Sequence, residues 1–300
     1  MERVKLTKDF GMSRIVHGQM RMNDWRMSKQ QLLVFFEELI DMGITTFDHA
    51  DIYSNHTCEA MLGEILSMKK GLRERIEIIT KCGIKLVSDK FPERKVKHYD
   101  YSYDHIVGSV DNSLRNFGTD RIDLLLLHRP APFFDPEEAA KAFSDLKKEG
   151  KVLNFGVSNF TPAQFELLNS VVEDKLVTNQ VEISPYCLEH FENGNIDFFL
   201  KEKIFPMAWS PVAGGRLLNP HDNRGPGILR TLNQVGEELG VSPVDKVIYA
   251  WLLKHPVHML PVVGSGKIER IKHAAGALEL DMSLEQWYKI YIAVKGKELP

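Results

Sequence analysis

Three apolar runs of this sequence end in an ionisable residue: "ITTFD" in Asp48, "EIITK" in Lys81 and "LLLLH" in His128. Tyr53 follows the first of them five residues on. A free phenol titrates near pH ~10, too high for efficient proton transfer at neutrality. A lysine ammonium beside it favours the phenolate and is expected to lower that value, and a carboxylate paired with the lysine holds the ammonium in place. A histidine nitrogen can hold a carbonyl oxygen in line with the phenol. Together the four groups would make a proton donor for a carbonyl becoming an alcohol. What they lack is a hydride.

Each residue alone has a plainer use. A histidine ending a buried strand often serves as a structural hydrogen-bonding group, a lysine there snorkels to solvent, and an aspartate caps the next turn. The chemical reading therefore depends on whether the three strand ends share one rim. "RIVHGQM", "ITTFDHA", "RIEIITKCG", "RIDLLLLHR", "VLNFGVSNF", "LVTNQVEIS", "IFPMAWSPV" and "MLPVVGSG" read as eight short strands, preceded by a hairpin turning at Asp9-Phe10-Gly11.

Helical patterns separate the strands. Ser28 opens one with Leu32, Leu33, Phe35, Phe36, Leu39 and Ile40 on one face, and Gly43 stops it. Others are expected over 59–69, from a cap at Asp104 to Gly118, from Asp135-Pro136 to Gly150, from Thr161-Pro162, and near 196–202. A Gly/Pro-rich loop leads to two more, the second opened by Ser242-Pro243, and the chain closes with helices over 267–278 and 283–294. Parallel neighbours need such crossovers. The count predicts an α/β fold: a (β/α)₈ TIM barrel with an N-terminal β-hairpin and extra helices, one domain across 1–300. Reactive groups of such barrels lie at the C-terminal strand ends, so Asp48, Lys81 and His128 are expected around one mouth.

The later strand ends suit a flat, amide-bearing ligand. Ser158, Asn159 and Gln180 could hydrogen-bond a carboxamide, and Trp209 offers an aromatic face. After the eighth strand, "VVGSGKIERI" places Gly264, Ser265, Lys267 and Arg270 at a glycine turn entering a helix, a setting that attracts phosphate. It is not a Walker loop, because Pro261 and Ile268 occupy the positions of its first glycine and its Ser/Thr. No G-x-G-x-x-G follows an early strand, so a dinucleotide would be held without a Rossmann unit.

Composition narrows the partners. A net charge of −3 with no basic block argues against nucleic acid and for a small molecule. The three scattered cysteines, Cys58, Cys82 and Cys187, form neither a disulfide framework nor a metal-ligand pattern. No apolar run approaches a membrane span, and "MERVKLTKDFGMS" lacks a signal-peptide core, so a cytoplasmic protein is expected.

"FDHADIYSNHTCEAMLG" is similar to the F-D-x-A-x-x-Y segment of the aldo-keto reductase family, and "LLLLHRP" resembles its L-x-x-x-H-x-P motif. "NFGVSNF", "NQVEISP" and "AWSPVAGGRL" follow the same family in order and spacing, so the resemblance covers essentially the whole chain. It implies a reductase transferring hydride from NADP(H), with NAD(H) less favoured, to an aldehyde or ketone. By this resemblance Tyr53 is the general acid, Lys81 and Asp48 its tuning pair, and His128 the residue orienting the carbonyl. The family's cofactor positions fall on Gly18, Met20, Ser158, Asn159, Gln180, Trp209, Ser210, Pro211, Val212, Gly214, Arg216, Leu217, Gly264, Ser265, Lys267 and Arg270. Ser158, Asn159 and Gln180 would hold the nicotinamide amide. Ser210, Gly214 and Leu217 would line the pyrophosphate loop, and Ser265, Lys267 and Arg270 would meet the 2′-phosphate.

The chain departs from the family in three places. Arg129 replaces the common Trp after the histidine, which favours an anionic substrate. Gly264 replaces the widespread Lys before the phosphate-binding Ser, with Lys267 as its substitute. Gly18-Gln19-Met20 lacks the Trp that often follows the first strand. A cofactor-binding regulatory subunit, like the potassium-channel beta subunits of the same fold, is the alternative. A metal-dependent barrel hydrolase would need clustered ligands, whereas the eleven histidines are scattered and His49 and His56 lack partners at metal spacing. No metal is expected, and a monomer is plausible. Substrate choice would lie in loops 21–25, 88–103 and 129–134 and the C-terminal segment; the aromatic and basic 88–103 loop reads equally as a lid or a solvated insertion.

Overall fold

Runs such as Leu124–Leu127, apolar at every position, cannot face water on either side, and they form parallel strands covered on both faces. The computed structural model describes residues 1–300. Its barrel strands are β1 (Val16–Gly18), β2 (Thr46–Asp48), β3 (Glu77–Cys82), β4 (Leu124–Leu127), β5 (Phe155–Ser158), β6 (Asn179–Glu182), β7 (Met207–Trp209) and β8 (Leu260–Val263). They follow chain order around a closed eight-stranded parallel barrel, as the alternating pattern implies. Contacts divide the chain into two compact units, Met1–Asn179 and Gln180–Pro300.

In the first unit, an antiparallel hairpin pairs Arg3–Lys5 with Gly11–Ser13. Its turn lies over 6–10, earlier than the expected Asp9-Phe10-Gly11, because Thr7 Oγ1 and the Phe10 carbonyl close it while Gly11 already pairs with Lys5. Helix α1 (Lys29–Asp41) starts in a capping box between Ser28 and Gln31 and buries all six of its expected apolar residues. Each such burial contributes about 1.5–3 kcal/mol. Helix α2 (Cys58–Met68) follows β2, and α3 (Tyr103–Phe117) follows β3. Ser102, not Asp104, caps α3: its hydroxyl accepts from the His105 N–H while Asp100 Oδ1 holds Ser102 extended. Asp104 falls instead in the first turn, where its charge suits the helix N-terminus. Helices α4 (Pro136–Lys148) and α5 (Pro162–Asn169) carry the expected Asp135 and Thr161 caps, each followed by proline.

Two features fix β2 and β3 against the helices behind them. A Cβ on Gly63 would overlap the Asn116 carbonyl, so α2 lies directly on α3. Glu59 is buried and accepts from Thr80 (2.7 Å), Ser113 (2.8 Å) and Asn116 (3.1 Å), tying α2 to β3 beside Lys81. Register then sets Gly18 against Asp48 and Lys81 against Leu126.

The second unit carries α6 (Glu189–Glu192), α7 (Asn195–Glu202), α8 (Gly225–Glu238), α9 (Val244–Lys254), α10 (Ile268–Gly276) and α11 (Leu284–Lys295). Trp251 and Trp287 stack at 5.0 Å and each indole N–H donates to the other's carbonyl, locking α9 to α11. No helix of either unit is long and apolar enough to cross a membrane.

Candidate active site

Lys81 ends its run inside the first unit, about 1 % exposed. Its ammonium donates to both Asp48 oxygens (2.7 and 2.8 Å), to the His49 carbonyl (2.8 Å) and to the Tyr53 phenol oxygen (3.1 Å). Charge at this depth persists only when so completely bonded. Burial works to discharge Lys81, but the Asp48 carboxylate and the Tyr53 phenol together outweigh it and leave the lysine above its ordinary value. The His49 carbonyl is a partner that no side-chain pattern could reveal.

Tyr53 is held from behind by unusual backbone. Ser54, Asn55 and His56 all have left-handed φ values of 46°, 54° and 63°. Each such residue costs roughly 1–2 kcal/mol unless its surroundings impose it. The imposing contacts are local: Ser54 Oγ donates to the Met20 carbonyl, Lys90 Nζ to the His56 carbonyl, and the His56 ring meets Phe91 edge-on at 5.0 Å. The 88–103 segment thus includes neither a free lid nor a wholly solvated loop. It belongs to a ribbon in which Ile84–Lys85 pairs with His98–Tyr99, and its tip is packed on the residues that follow Tyr53.

The expectation that Lys81 lowers the Tyr53 pKa needs correction. Burial of the phenol group pushes it upward and outweighs the pull of Lys81, so the net shift is up and Tyr53 keeps its proton at neutrality. Since its oxygen accepts from Lys81, the phenolic proton is directed elsewhere. Tyr53 is thereby a neutral donor backed by a cation.

The His128 ring stands edge-on to Tyr53, centroids 6.0 Å apart. Burial, reinforced by Lys81, Arg129 and Lys97, pushes its pKa well below the usual histidine value. The imidazole is therefore neutral, able to donate or accept. Its Nδ1 is buried without a partner. Asp48, Lys81 and His128 are thus brought together, as their strand ends predicted, and Tyr53 joins them. His49, by contrast, buries both ring nitrogens unpartnered against Phe117 at 5.2 Å. His56 faces Phe91 instead of the cluster.

Four other expected residues lie in this unit. Gly18 ends β1 opposite Asp48, and Met20 is half exposed with its carbonyl taken by Ser54. Ser158 ends β5, and Asn159, itself left-handed at 64°, donates to Ser158 Oγ (2.8 Å) and the His128 carbonyl (3.5 Å).

The second unit presents its candidates on strand ends and turns. Gln180 sits in β6 and donates to Met207 Sδ at 3.6 Å; Trp209 ends β7. Ser210, Ala213, Gly214 and Gly215 all have positive φ, so Ser210, Pro211, Val212 and Gly214 trace a tight main-chain turn closed by Ala213 N–H to Ser210 O at 2.7 Å. Leu217 is buried behind it, and Arg216 lies over Tyr186 at 4.7 Å. Gly264 is exposed after β8, Ser265 accepts from the Lys267 N–H at 3.1 Å, and Lys267 caps α10 with Arg270 exposed in its first turn. This donor set of turn amides, hydroxyls, one indole and three cations fits an anionic, aromatic cofactor. No group of three or more His, Cys, Asp or Glu side chains is placed to hold a metal ion.

Comparison with known proteins gives the family. A sequence model described as "Aldo/keto reductase family" matches residues 14–295. The chain is 47 % identical to an uncharacterized oxidoreductase of Bacillus subtilis, YcsN, over all of both chains. It is 43 % identical to a 6-dehydroglucose reductase of Agrobacterium fabrum, again over all of both. In fold it is similar to a thermostable aldo-keto reductase solved with the inhibitor epalrestat, with a TM-score of 0.80, 21 % identity, and 98 % of this chain and 100 % of that one covered.

Proposed function

Because the chain belongs to the Aldo/keto reductase family, and is an oxidoreductase of that kind, we propose that it reduces an aldehyde to an alcohol with NADP(H), acting as one barrel domain over residues 1–300. The observation that carries this reading is the Lys81 ammonium shared between the Asp48 carboxylate and the Tyr53 phenol, with the His128 ring beside it. Trp209, Gln180, Ser158 and Asn159 would hold the nicotinamide, the 210–217 turn the pyrophosphate, and Ser265, Lys267 and Arg270 the 2′-phosphate. The bound cofactor supplies the hydride.

The chain's own residues do the rest. His128, neutral, donates to the carbonyl oxygen and fixes its direction. Tyr53 gives its proton to that oxygen as negative charge grows there, and Lys81 stabilises the phenolate left behind. Asp48 keeps the ammonium in place through the change of charge. Proton transfer by a positioned group contributes about 10²–10⁴ in rate. The Agrobacterium fabrum relative's name supports a sugar aldehyde as the substrate class.

The Tyr53→Phe variant tests the assignment. Its turnover should fall by about 10³-fold, while NADPH still quenches tryptophan fluorescence with an affinity within twofold of the parent. Undiminished turnover would place the proton donor elsewhere. Tight NADPH binding by the parent without reduction of any sugar aldehyde would favour a regulatory subunit instead.

A further inference from the structure

The ribbon that leaves β3 returns to the barrel at Tyr101, and this tyrosine is only 4 % exposed. Its hydroxyl makes two bonds to one residue. It donates to the Arg129 carbonyl at 2.6 Å and accepts the Arg129 N–H at 3.0 Å. Both main-chain polar groups of the residue after His128 are therefore met by a single side chain. Only a protonated phenol can do both, and burial holds Tyr101 well above the ordinary phenol value.

The ring is placed as closely as the hydroxyl. Gly83 lies two residues after Lys81, in left-handed backbone at +104°, and a Cβ there would overlap the Tyr101 ring. The Asp100 N–H donates to the Gly83 carbonyl at 2.9 Å, pinning the same point, and Phe134 closes the other side edge-on at 5.7 Å.

The place of this contact gives it meaning. The ladder between β3 and β4 pairs Cys82 with Leu127, and its last main-chain bond runs from the His128 N–H to the Cys82 carbonyl at 3.0 Å. Beyond that bond the strands part, at Gly83 on one side and Arg129 on the other. Tyr101 fills the gap, with its ring on Gly83 and its hydroxyl on Arg129. It supplies from a side chain the rung that the ladder no longer makes.

We propose that Tyr101 is a positioning residue that extends the Lys81–His128 strand pairing one step past its end, and so fixes the His128 ring against Tyr53. The inference rests on the catalytic reading of those three residues for its effect on rate, but not for its effect on His128 itself. Half an ångström of freedom at a strand end is enough to spoil alignment of a carbonyl with its proton donor.

The Tyr101→Phe variant keeps the ring on Gly83 and removes both bonds. In a sugar-aldehyde assay its kcat should fall about tenfold, with NADPH affinity by tryptophan quenching within twofold of the parent. In ¹⁵N-histidine spectra the His128 imidazole signal, assigned by its loss in His128→Gln, should shift, while that of His255 stays in place. Parental kcat together with an unmoved His128 signal would overturn the proposal. If the parent reduces no aldehyde, the catalytic reading fails, and the imidazole spectrum still decides whether Tyr101 positions His128. Should Tyr101→Phe not fold, amide exchange in the parent decides. An Arg129 N–H protected like that of His128 supports the rung, and one exchanging at exposed-loop rates removes it.

Discussion

Two lysines stand for the two halves of the proposed chemistry, and their surroundings are opposites. Lys81 is sealed in the first unit with every ammonium proton directed at a named oxygen. Lys267 stands exposed at the start of α10, with the exposed Arg270 one turn on. A group that must tune a proton donor needs fixed distances and a low dielectric, so it accepts the cost of burial. A group that must attract a phosphate needs access and charge, and loses little to desolvation before its ligand arrives. On the proposed reading, the difference separates groups that react from groups that bind.

The largest effect should come from breaking the buried half. Lys81→Met leaves the Asp48 carboxylate buried without its cation, which costs about 3–5 kcal/mol of stability. Turnover should fall by about 10³-fold or more, because the phenolate then forms unaided. Chemical denaturation and a turnover assay check both; turnover within tenfold of the parent would end the distinction between the two lysines.

The exposed half should fail more gently and in one respect only. Lys267→Ala combined with Arg270→Ala should weaken NADPH by about tenfold, or about 1.4 kcal/mol, leave NADH affinity and thermal stability unchanged, and reduce the salt dependence of NADPH binding. Equal loss for both cofactors would mean that these cations do not meet a 2′-phosphate.

The smallest effect is a pH dependence that buried and part-buried histidines of both units should impose. His128 and His49 lie well below the ordinary histidine pKa, and His105 and His255 are each pushed to about 4, burial being the first cause in all four. As pH falls from about 6.5 toward 4, the unfolded chain takes up protons that the folded chain refuses, so these groups lose stability on acidification. His56 and His190 are lowered by burial as well; Asp51, Glu59 and Asp123, raised chiefly by burial, act in the opposite sense above the usual carboxylate range, but they are three against six. The melting temperature should therefore fall by a few degrees between pH 7 and 5. A flat or rising profile would show that the histidines are not held neutral.

The clustering of the candidate residues was legible in the sequence because barrel closure turns a one-dimensional regularity, an ionisable residue ending an apolar run, into a three-dimensional ring. Asp48, Lys81 and His128 needed only that rule. Helix starts were legible where one capping residue stood alone, as at Ser28 and Thr161, and less so where Ser102 and Asp104 competed and an Asx contact from Asp100 decided between them. The sign of the Tyr53 shift was not legible, since it depends on how fully the phenol is enclosed, not on which charges adjoin it. Nor was the Tyr101 rung, because two hydrogen bonds to a backbone leave no trace in the identity of Arg129.

The crowding around Lys81 also bears on self-poisoning. A protein that handles aldehydes beside a lysine risks condensing the two into an imine, the reaction by which other enzymes trap carbonyl compounds on purpose. That condensation needs a free amine lone pair. In this chain Asp48 and Tyr53 keep the nitrogen protonated, and its protons are committed to the oxygens of three different residues. The same bonds that, on the proposed reading, prepare Tyr53 to give up a proton leave Lys81 with no nucleophile to offer.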